Sequence, residues 1–250
     1  MPASPIPSAP LAAPPRLTRS NSVLLDFDGT LVEIADRPDG VVIEPALLAR
    51  LQRLNGTLQG RLALVSGRSI AQLDAFIGSA LDGVAVIGSH GGEIRAGDWR
   101  MAPVRPAALA AAELAFETAF GGRTGVVIEV KSLGVAVHYR LAPDIEPAAR
   151  AIVDRIASDS GLAVQEGKMM IELRAAGHDK GSGITALMAR RPFAGTVPVF
   201  AGDDLTDEAG FDAVARLAGV GVLVGPDRPT AARYRLADVA AVHAWLDQTA

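Results

Sequence analysis

Four short apolar runs of this chain are each followed by a polar or glycine-rich segment, and predicted helices lie between the runs. The runs are Val23-Leu24-Leu25, Leu62-Ala63-Leu64-Val65, Val84-Ala85-Val86-Ile87 and Val197-Pro198-Val199-Phe200. Short apolar runs that alternate with amphipathic helices predict a parallel α/β sheet. Because parallel strands bring their carboxyl ends to one edge of the sheet, the residues after these runs are expected to lie close together there.

The middle of the chain departs from this alternation. A predicted helix over 107–120 is followed by a hairpin over 126–141, a helix over 146–158 and a strand pair over 162–174. Helices that flank directly adjacent strands are typical of a small α+β unit with an antiparallel sheet. We therefore predict an α/β fold in which a Rossmann-like parallel core is interrupted by an inserted α+β domain.

The domain boundaries are predicted where the pattern changes. The core is expected over 21–103 and 178–250, and the inserted domain over 104–177. Residues 1–20 are rich in proline and alanine, so no helix can run through them, and a disordered or extended arm is expected. Arg16 and Arg19 follow the apolar residues of this arm, whereas a secretory signal begins with its basic residues.

Composition narrows the functional classes. A net charge of -4 gives no reason to expect nucleic acid or an anionic membrane as a partner. No segment of the sequence reaches the roughly 20 apolar residues of a membrane span. The chain has no cysteine, which excludes disulfides and thiolate metal sites and suits a cytoplasmic location. A small molecule is therefore the expected partner, and a monomer is favoured, although the sequence does not report the oligomeric state.

The segment DFDGT at 26–30 is the most informative of the strand ends. Side chains alternate along a strand, so Asp26 and Asp28 are expected to point the same way, with Gly29 forming the turn beyond them. One carboxylate at this edge can act as a covalent nucleophile, and the other can transfer a proton. An Asx-type turn, in which Asp28 only binds the local backbone, explains the same residues equally well.

Polar residues also follow the other runs. They are Ser66, His90 and the pair Asp203 and Asp204. Ser66 is equally explained as a helix cap, and His90 as a hinge-loop residue bonded to backbone. Lys180 lies at the start of a predicted helix, where the helix dipole disfavours a cation. An anionic neighbour would explain Lys180, and so would a surface position at a frayed helix end.

A cluster of carboxylates at one edge requires a cation. Two carboxylates about 4 Å apart repel by roughly 4 kcal/mol at an effective dielectric constant near 20. Ligation by oxygen alone suits Mg²⁺, and Asp26, Asp28, Asp203 and Asp204 are the predicted ligands. As first-turn residues of the next helix, Asp204 and Asp207 are also explained by the helix dipole.

Together these groups indicate phosphoryl transfer, which depends on positioning and charge neutralisation. Asp26 would attack phosphorus to give an aspartyl-phosphate, and Asp28 would protonate the leaving oxygen and then activate water. Ser66 and Lys180 would bind the phosphate oxygens, while Asp203 would hold Mg²⁺.

The order of these motifs resembles that of the haloacid dehalogenase superfamily. The matching segments are DFDGT, a strand that ends in SGR, Lys180 before a helix, and GDDLTDE. The insertion between the second and third segments resembles the mobile α/β cap of that superfamily. The resemblance implies a haloacid dehalogenase fold with an aspartate nucleophile.

A finer resemblance is to the trehalose-6-phosphate phosphatase family, and it extends from about Val23 to the end of the chain. The segments that carry it are DGTLVEIADRPDGVVIEP, LALVSGR, GSHGGE, IEVKSLGVAVHYR, GKMMIELR and DKGSGI. It implies Mg²⁺-dependent hydrolysis of trehalose 6-phosphate to trehalose and phosphate, the last step of trehalose biosynthesis.

The resemblance also implies that the inserted domain contacts the distal sugar. Glu129, Lys131 and Glu172 match the sugar contacts of the family, and Lys168, Arg68 and His90 are further candidates. Charged side chains on alternate strand positions form one sheet face here, and a sugar-binding surface needs such donors and acceptors. The plain solvated face of a one-sided sheet has the same pattern.

Other functions share parts of this pattern. A phosphatase for sucrose or mannosyl phosphates would have the same catalytic residues and a different cap specificity. A phosphomutase would share the aspartate pair but return phosphate to the sugar. A catalytically silent sugar-phosphate sensor would have lost a catalytic residue, whereas Asp26, Asp28, Lys180 and Asp203 are all present here. A receiver domain would lack the charged cap that this sequence predicts.

Overall fold

The computed structural model describes residues 11–35, 37, 40–78, 82–167 and 169–249. Strands and helices are numbered separately in chain order. Within these residues the large sheet has eight strands: β1 (Asn21–Asp26), β2 (Leu62–Val65), β3 (Ala85–Gly88), β4 (Glu93–Ala96), β5 (Trp99–Met101), β10 (Val197–Gly202), β11 (Val220–Val224) and β12 (Tyr234–Leu236). A separate sheet in the described residues contains β6 (Val127–Val130), β7 (Gly134–His138), β8 (Ala163–Gly167) and β9 (Met170–Arg174).

The order of the large sheet is β12-β11-β10-β1-β2-β3-β4-β5. The strands from β12 to β3 are parallel, which confirms the predicted α/β core. The structure adds β4 and β5, which pair antiparallel with their neighbours and were not predicted. β12 was also missed, because a three-residue strand is too short to show an alternation of apolar and polar side chains.

Helices cover both faces of the large sheet. The α-helices within the described residues are α1 (Pro45–Thr57), α2 (Ile70–Ile77), α3 (Ala107–Phe120), α4 (Glu146–Ser160), α5 (Lys180–Met188), α6 (Glu208–Arg216) and α7 (Val239–Leu246). Leu51 of α1 and Trp245 of α7 pack on one face of the sheet, whereas Ile184 of α5 and Phe211 of α6 pack on the other. Each such side chain that is fully buried stabilises the fold by about 1.5–3 kcal/mol.

Side-chain caps fix where two core helices begin. Ser69 and Gln72 form a capping box at the start of α2. Asp179 and Ser182 form another at the start of α5. This second capping box starts α5 at Lys180, because it offsets the low helix propensity of the glycines that follow.

The small sheet has the order β6-β7-β9-β8 and is antiparallel throughout. Its apolar face packs under α3 and α4, through side chains such as Val137, Leu173, Phe116 and Val153. The alternation of faces predicted from the sequence is therefore confirmed, and the opposite face of the sheet carries the charged side chains.

A disordered or extended arm was expected over residues 1–20; residues 11–20 are ordered but form no helix or strand, and residues 1–10 lie outside the described part. The segment contacts the core, with Leu17 only 2% exposed. The Trp245 indole donates a hydrogen bond to the Pro15 carbonyl at 2.8 Å, and the Arg235 backbone N–H donates to the Ala12 carbonyl at 2.9 Å. Proline prevents a helix here but not packing, because the buried leucine and these hydrogen bonds hold the segment on the core. No helix among the described residues is long and apolar enough to cross a membrane.

Candidate active site

The carboxyl ends of the parallel strands form a pocket between the large and the small sheet, with a volume of about 280 Å³. From the large sheet it is lined by Asp26, Asp28, Ser66, Arg68, His90, Lys180, Asp203 and Asp204. From the small-sheet unit it is lined by Glu129, Lys131, His138, Gln165 and Glu172. Apart from Lys168, which lies outside the described residues, the structure brings together every residue predicted for the site.

The turn after β1 allows the aspartates from two distant segments to meet. Gly29 has φ +78°, in the left-handed region that favours glycine. A Cβ atom at this position would lie 2.3 Å from Asp203 Oδ2. The absence of a side chain at Gly29 is therefore what lets the carboxylate from the end of β10 approach the DFDGT turn.

Lys180 connects this carboxylate cluster to α5. Its ammonium donates hydrogen bonds to Asp26 Oδ1 at 2.8 Å and to Asp207 Oδ1 at 2.7 Å, and Lys180 is only 3% exposed. Burial by itself would lower the pKa of Lys180, but Asp207 and Asp26 outweigh it and hold this pKa well above the usual value. Lys180 is thus a fixed cation within the site and not a surface lysine at a frayed helix end.

Negative charge nevertheless exceeds positive charge in this cluster. Burial raises the pKa of Asp26 well above its usual value, although Lys180 opposes the shift. Burial, with the neighbouring Asp207 and Asp204, raises the pKa of Asp203 to about 7. A bound divalent cation would relieve this excess of negative charge, since it stabilises ionised carboxylates.

Three carboxylates of the described residues can hold such a cation. Oxygen atoms of Asp26, Asp203 and Asp207 lie within 4.8 Å of one another. Asp207 is fully buried, and its second oxygen accepts a hydrogen bond from the Asp204 N–H at 3.0 Å. Oxygen donors in this number fit a hard cation that keeps part of its water shell.

This group differs from the predicted ligand set at two positions. The side chain of Asp204 accepts hydrogen bonds from the N–H and the hydroxyl of Thr206, at 2.7 and 2.6 Å, and so caps the turn that follows. The side chain of Asp28 binds Arg68. Asp207 was explained in the sequence only as a first-turn acid, and its spacing of four residues from Asp203 was the signal that could have identified it.

Arg68 holds Asp28 through two parallel hydrogen bonds, from Nε to Oδ2 and from Nη2 to Oδ1, each 2.7 Å long. The guanidinium also lies over the rings of Phe76 and Phe27, with centroids at 4.9 and 5.7 Å. Stacking and two-point binding fix the plane of the Asp28 carboxylate. The Asx-type turn is thus not the role of the Asp28 side chain, which points into the pocket.

The turn after β2 presents Ser66, whose hydroxyl accepts a hydrogen bond from the Arg68 N–H at 3.0 Å. The turn is supported by His90, whose backbone N–H donates to the Ser66 carbonyl at 3.0 Å. His90 has φ 52°, so its backbone is in the left-handed region. Burial lowers the pKa of His90 well below its usual value, and nearby Lys180 adds to the effect. His90 is therefore neutral in this pocket.

The small-sheet wall contains a chain of ion pairs. Lys131 donates a hydrogen bond to Glu172 Oε2 at 2.7 Å, and its ammonium lies 3.8 Å from Glu129 Oε2. Glu129 also binds His138 Nε2 at 2.8 Å. Burial alone would raise the pKa of Glu129, but the hydrogen bond from His138 and the charge of Lys131 lower it to about 2. These charges lie in the pocket and are largely buried, so this part of the sheet is not a plain solvated face.

Comparison with known proteins gives the family. The profile of the trehalose-phosphatase family matches residues 24–240. The trehalose-6-phosphate phosphatase of Escherichia coli strain K12 is 39% identical over 241 residues, which are 95% of this chain and 90% of that protein. A probable trehalose-phosphate phosphatase of Sinorhizobium fredii is 40% identical over 216 residues, which are 83% of this chain and 79% of that protein.

Solved structures agree with this result. The crystal structure of a trehalose-6-phosphate phosphatase related protein has a TM-score of 0.75 and 29% identity, and the match covers 90% of this chain and 95% of that one. The C-terminal domain of the trehalose-6-phosphate phosphatase of C. albicans has the same fold, with a TM-score of 0.76 at 22% identity and 90% of each chain covered. This chain belongs to the trehalose-phosphatase family.

Proposed function

We propose that this protein hydrolyses trehalose 6-phosphate to trehalose and phosphate through an aspartyl-phosphate on Asp26. The observation that carries the proposal is the pairing of Asp26 with Lys180 at the floor of a pocket whose opposite wall is lined by ionised and polar side chains. A phosphate at the floor and a sugar at the opposite wall satisfy both sets of groups. Membership of the trehalose-phosphatase family supports the same substrate.

Each catalytic residue has a role that its contacts support. A carboxylate oxygen of Asp26, held by Lys180, attacks phosphorus as the bond to the sugar oxygen breaks. Asp28 is positioned by Arg68 and, in its protonated form, gives a proton to that oxygen. Asp28 then takes a proton from the water that attacks the aspartyl-phosphate, which releases phosphate and restores Asp26. Ser66 and Lys180 bind the phosphate oxygens.

The metal in this proposal is Mg²⁺, held by Asp26, Asp203 and Asp207. The proximity of their oxygens and the raised pKa of Asp203 support these three residues as ligands. When bound, Mg²⁺ neutralises negative charge on the carboxylates and the phosphate. Lys180 supplies the remaining positive charge next to Asp26.

The small-sheet unit, proposed as a cap over 104–177, selects the sugar. Glu129, Lys131 and Glu172 face the pocket, and their charged groups are suited to bind sugar hydroxyls. Arg68 binds Asp28 at the floor of the pocket, and His90 Nε2 lies 3.2 Å from Gln165 Nε2 of the small sheet, so both are suited to contact the sugar nearest the phosphate. Closing the cap would exclude water and admit a substrate of the right shape.

The test is phosphate release from trehalose 6-phosphate, run beside sucrose 6-phosphate, glucose 6-phosphate and an aryl phosphate, with and without EDTA. Selective release from the trehalose ester that EDTA abolishes is the expected result. Preference for another sugar ester would overturn the substrate, and full turnover by Asp26→Asn would overturn the nucleophile.

A further inference from the structure

Gln72 uses both ends of its side-chain amide, and its contacts lie in two different parts of the molecule. Its Oε1 accepts hydrogen bonds from the Ser69 N–H at 2.8 Å and from the Ser69 hydroxyl at 3.1 Å. Its Nε2 donates to Glu129 Oε1 at 2.6 Å. Ser69 belongs to the core and Glu129 to the small-sheet unit, so one side chain joins the two.

The chemistry of the partners fixes which end of the amide is which. The backbone N–H of Ser69 can only donate, so the atom facing it must be the amide oxygen. Glu129 is ionised, since its pKa is about 2, and its carboxylate can only accept. The amide nitrogen must therefore face Glu129.

The core end of this link touches the turn that holds the phosphate ligands. Ser69 caps α2 and directly follows Arg68, whose backbone N–H is bound to Ser66 Oγ. The other end reaches a carboxylate whose second oxygen binds His138 at 2.8 Å. Gln72 thus connects the phosphate-binding turn with the charged wall of the pocket.

We propose that Gln72 is a positioning residue that couples closure of the small-sheet unit, through Glu129, to the Ser66–Gly67–Arg68 turn. The inference rests on the proposed function for the identity of the substrate, but the link itself is a contact between two parts of the fold. It fixes the distance between the groups that bind phosphate and those that bind sugar, and so favours a ligand of one length.

The chain permits a variant that separates the two roles of Gln72. A capping box accepts glutamate as readily as glutamine at the third helical position, and an acid there is favoured by the helix dipole. Gln72→Glu therefore keeps the cap of α2. At the end that faces Glu129, the variant replaces the hydrogen bond with two carboxylates that repel each other. This repulsion opposes closure of the small-sheet unit onto the core.

The expected kinetic result is selective. Gln72→Glu should raise KM for trehalose 6-phosphate at least about tenfold, the effect of losing a hydrogen bond to a charged group. Turnover of an aryl phosphate, which has no sugar hydroxyls for the charged wall to bind, should stay within about twofold of the parent. Gln52→Glu, with the same charge change on the exposed face of α1, is the matched control and should leave both substrates unaffected.

A second readout does not depend on activity. Because the chain has no cysteine, spin labels attach only to introduced ones, and Leu114→Cys in α3 with Arg216→Cys in α6 gives one exposed label in each unit. Distances between the labels, measured by pulsed electron resonance on the full chain with Mg²⁺, should be longer and broader in Gln72→Glu than in the parent. The reversed pair, Gln72→Glu with Glu129→Gln, lets an amide donate in the opposite direction and should restore the parent distances.

The outcomes are distinguishable from a failure of the proposed function. Unchanged distances in Gln72→Glu would overturn the coupling even if the parent enzyme is a trehalose-6-phosphate phosphatase. A lower Tm with equal loss on both substrates would mean that Gln72 only caps α2, and would also overturn it. A parent that leaves trehalose 6-phosphate intact would refute the substrate, while the distances would still test the link.

Discussion

The ammonium nitrogen of Lys180 lies 2.8 Å from Asp26 Oδ1, although the two residues are 154 positions apart in the chain. Both side chains are almost completely buried, at 3% and 6% exposed. The same ammonium lies 2.7 Å from Asp207. One cation therefore joins the proposed nucleophile to a proposed metal ligand, and its removal should affect folding as well as turnover.

Lys180→Met should abolish turnover and lower the free energy of unfolding by about 3 kcal/mol, because it leaves the buried carboxylates of Asp26 and Asp207 without their cation. The loss should be smaller at pH 5 than at pH 8, since Asp26 and Asp207 can take up protons. Urea unfolding in EDTA at the two pH values measures the loss of stability and its pH dependence, and a phosphate-release assay measures turnover. Arg216→Met, an exposed loss of the same charge, is the control, and equal losses in the two variants would contradict the prediction.

Mg²⁺ should raise the Tm, and more strongly at pH 8 than at pH 5.5. Asp203 has a pKa of about 7 in the folded protein against 3.8 unfolded. Between these values the folded state holds a proton that the unfolded state has released, so stability without metal falls as pH rises. Protons compete with the metal in the same range.

At a Mg²⁺ concentration a hundredfold above Kd, the stabilisation should reach about 2.7 kcal/mol. Thermal unfolding with Mg²⁺ or EDTA gives the measurement. Asp203→Asn should lose most of the effect, and Asp154→Asn, an exposed exchange on α4, should keep it. A Mg²⁺ effect of the same size at both pH values, retained in Asp203→Asn, would mean that the cation binds elsewhere.

Glu172→Gln should reduce kcat/KM for trehalose 6-phosphate by at least about tenfold and affect an aryl phosphate much less. The reason is that Lys131 loses the carboxylate that holds it at 2.7 Å. Steady-state kinetics on the two substrates, with Tm measured in parallel, tests this. The exposed Glu117→Gln on α3 serves as the control, and equal losses on both substrates in Glu172→Gln would indicate a role in the fold instead.

His90→Asn should make the protein less sensitive to acid. The folded state keeps His90 neutral, whereas the unfolded chain protonates it near pH 6.5, so stability is complete above that pH and falls below it. His90 should change the free energy of unfolding by up to about 1.4 kcal/mol per pH unit below this pH, and the variant should lack this pH dependence. Asparagine tolerates the left-handed backbone of this position. Urea unfolding between pH 5 and 8 measures this difference. If the free energy of unfolding depended on pH equally in the parent and the variant, the prediction would be refuted.

The sequence was sufficient to predict the parallel core and most of the site, because apolar runs and strand-end positions are local features. Ser66 and Asp203 were identified from strand ends, and Lys180 from its place at the start of a predicted helix. The antiparallel strands β4 and β5 were missed, although Gly97-Asp98 between two short segments is a recognisable hairpin turn. The link from Gln72 to Glu129 spans 57 positions and depends on how two sheets approach each other, which no local pattern encodes.

The position of β1 has a consequence for synthesis of the chain. One of its two neighbours is β10, and Asn21 of β1 lies opposite Val197 of β10. The ribosome therefore makes this partner strand 176 residues after β1. At about 5–20 residues per second this delay is roughly 9 to 35 s. During that time the nascent chain can complete the small antiparallel unit, whose strands are nearer in sequence, while the central strand keeps an open edge that a chaperone or a second nascent chain can bind.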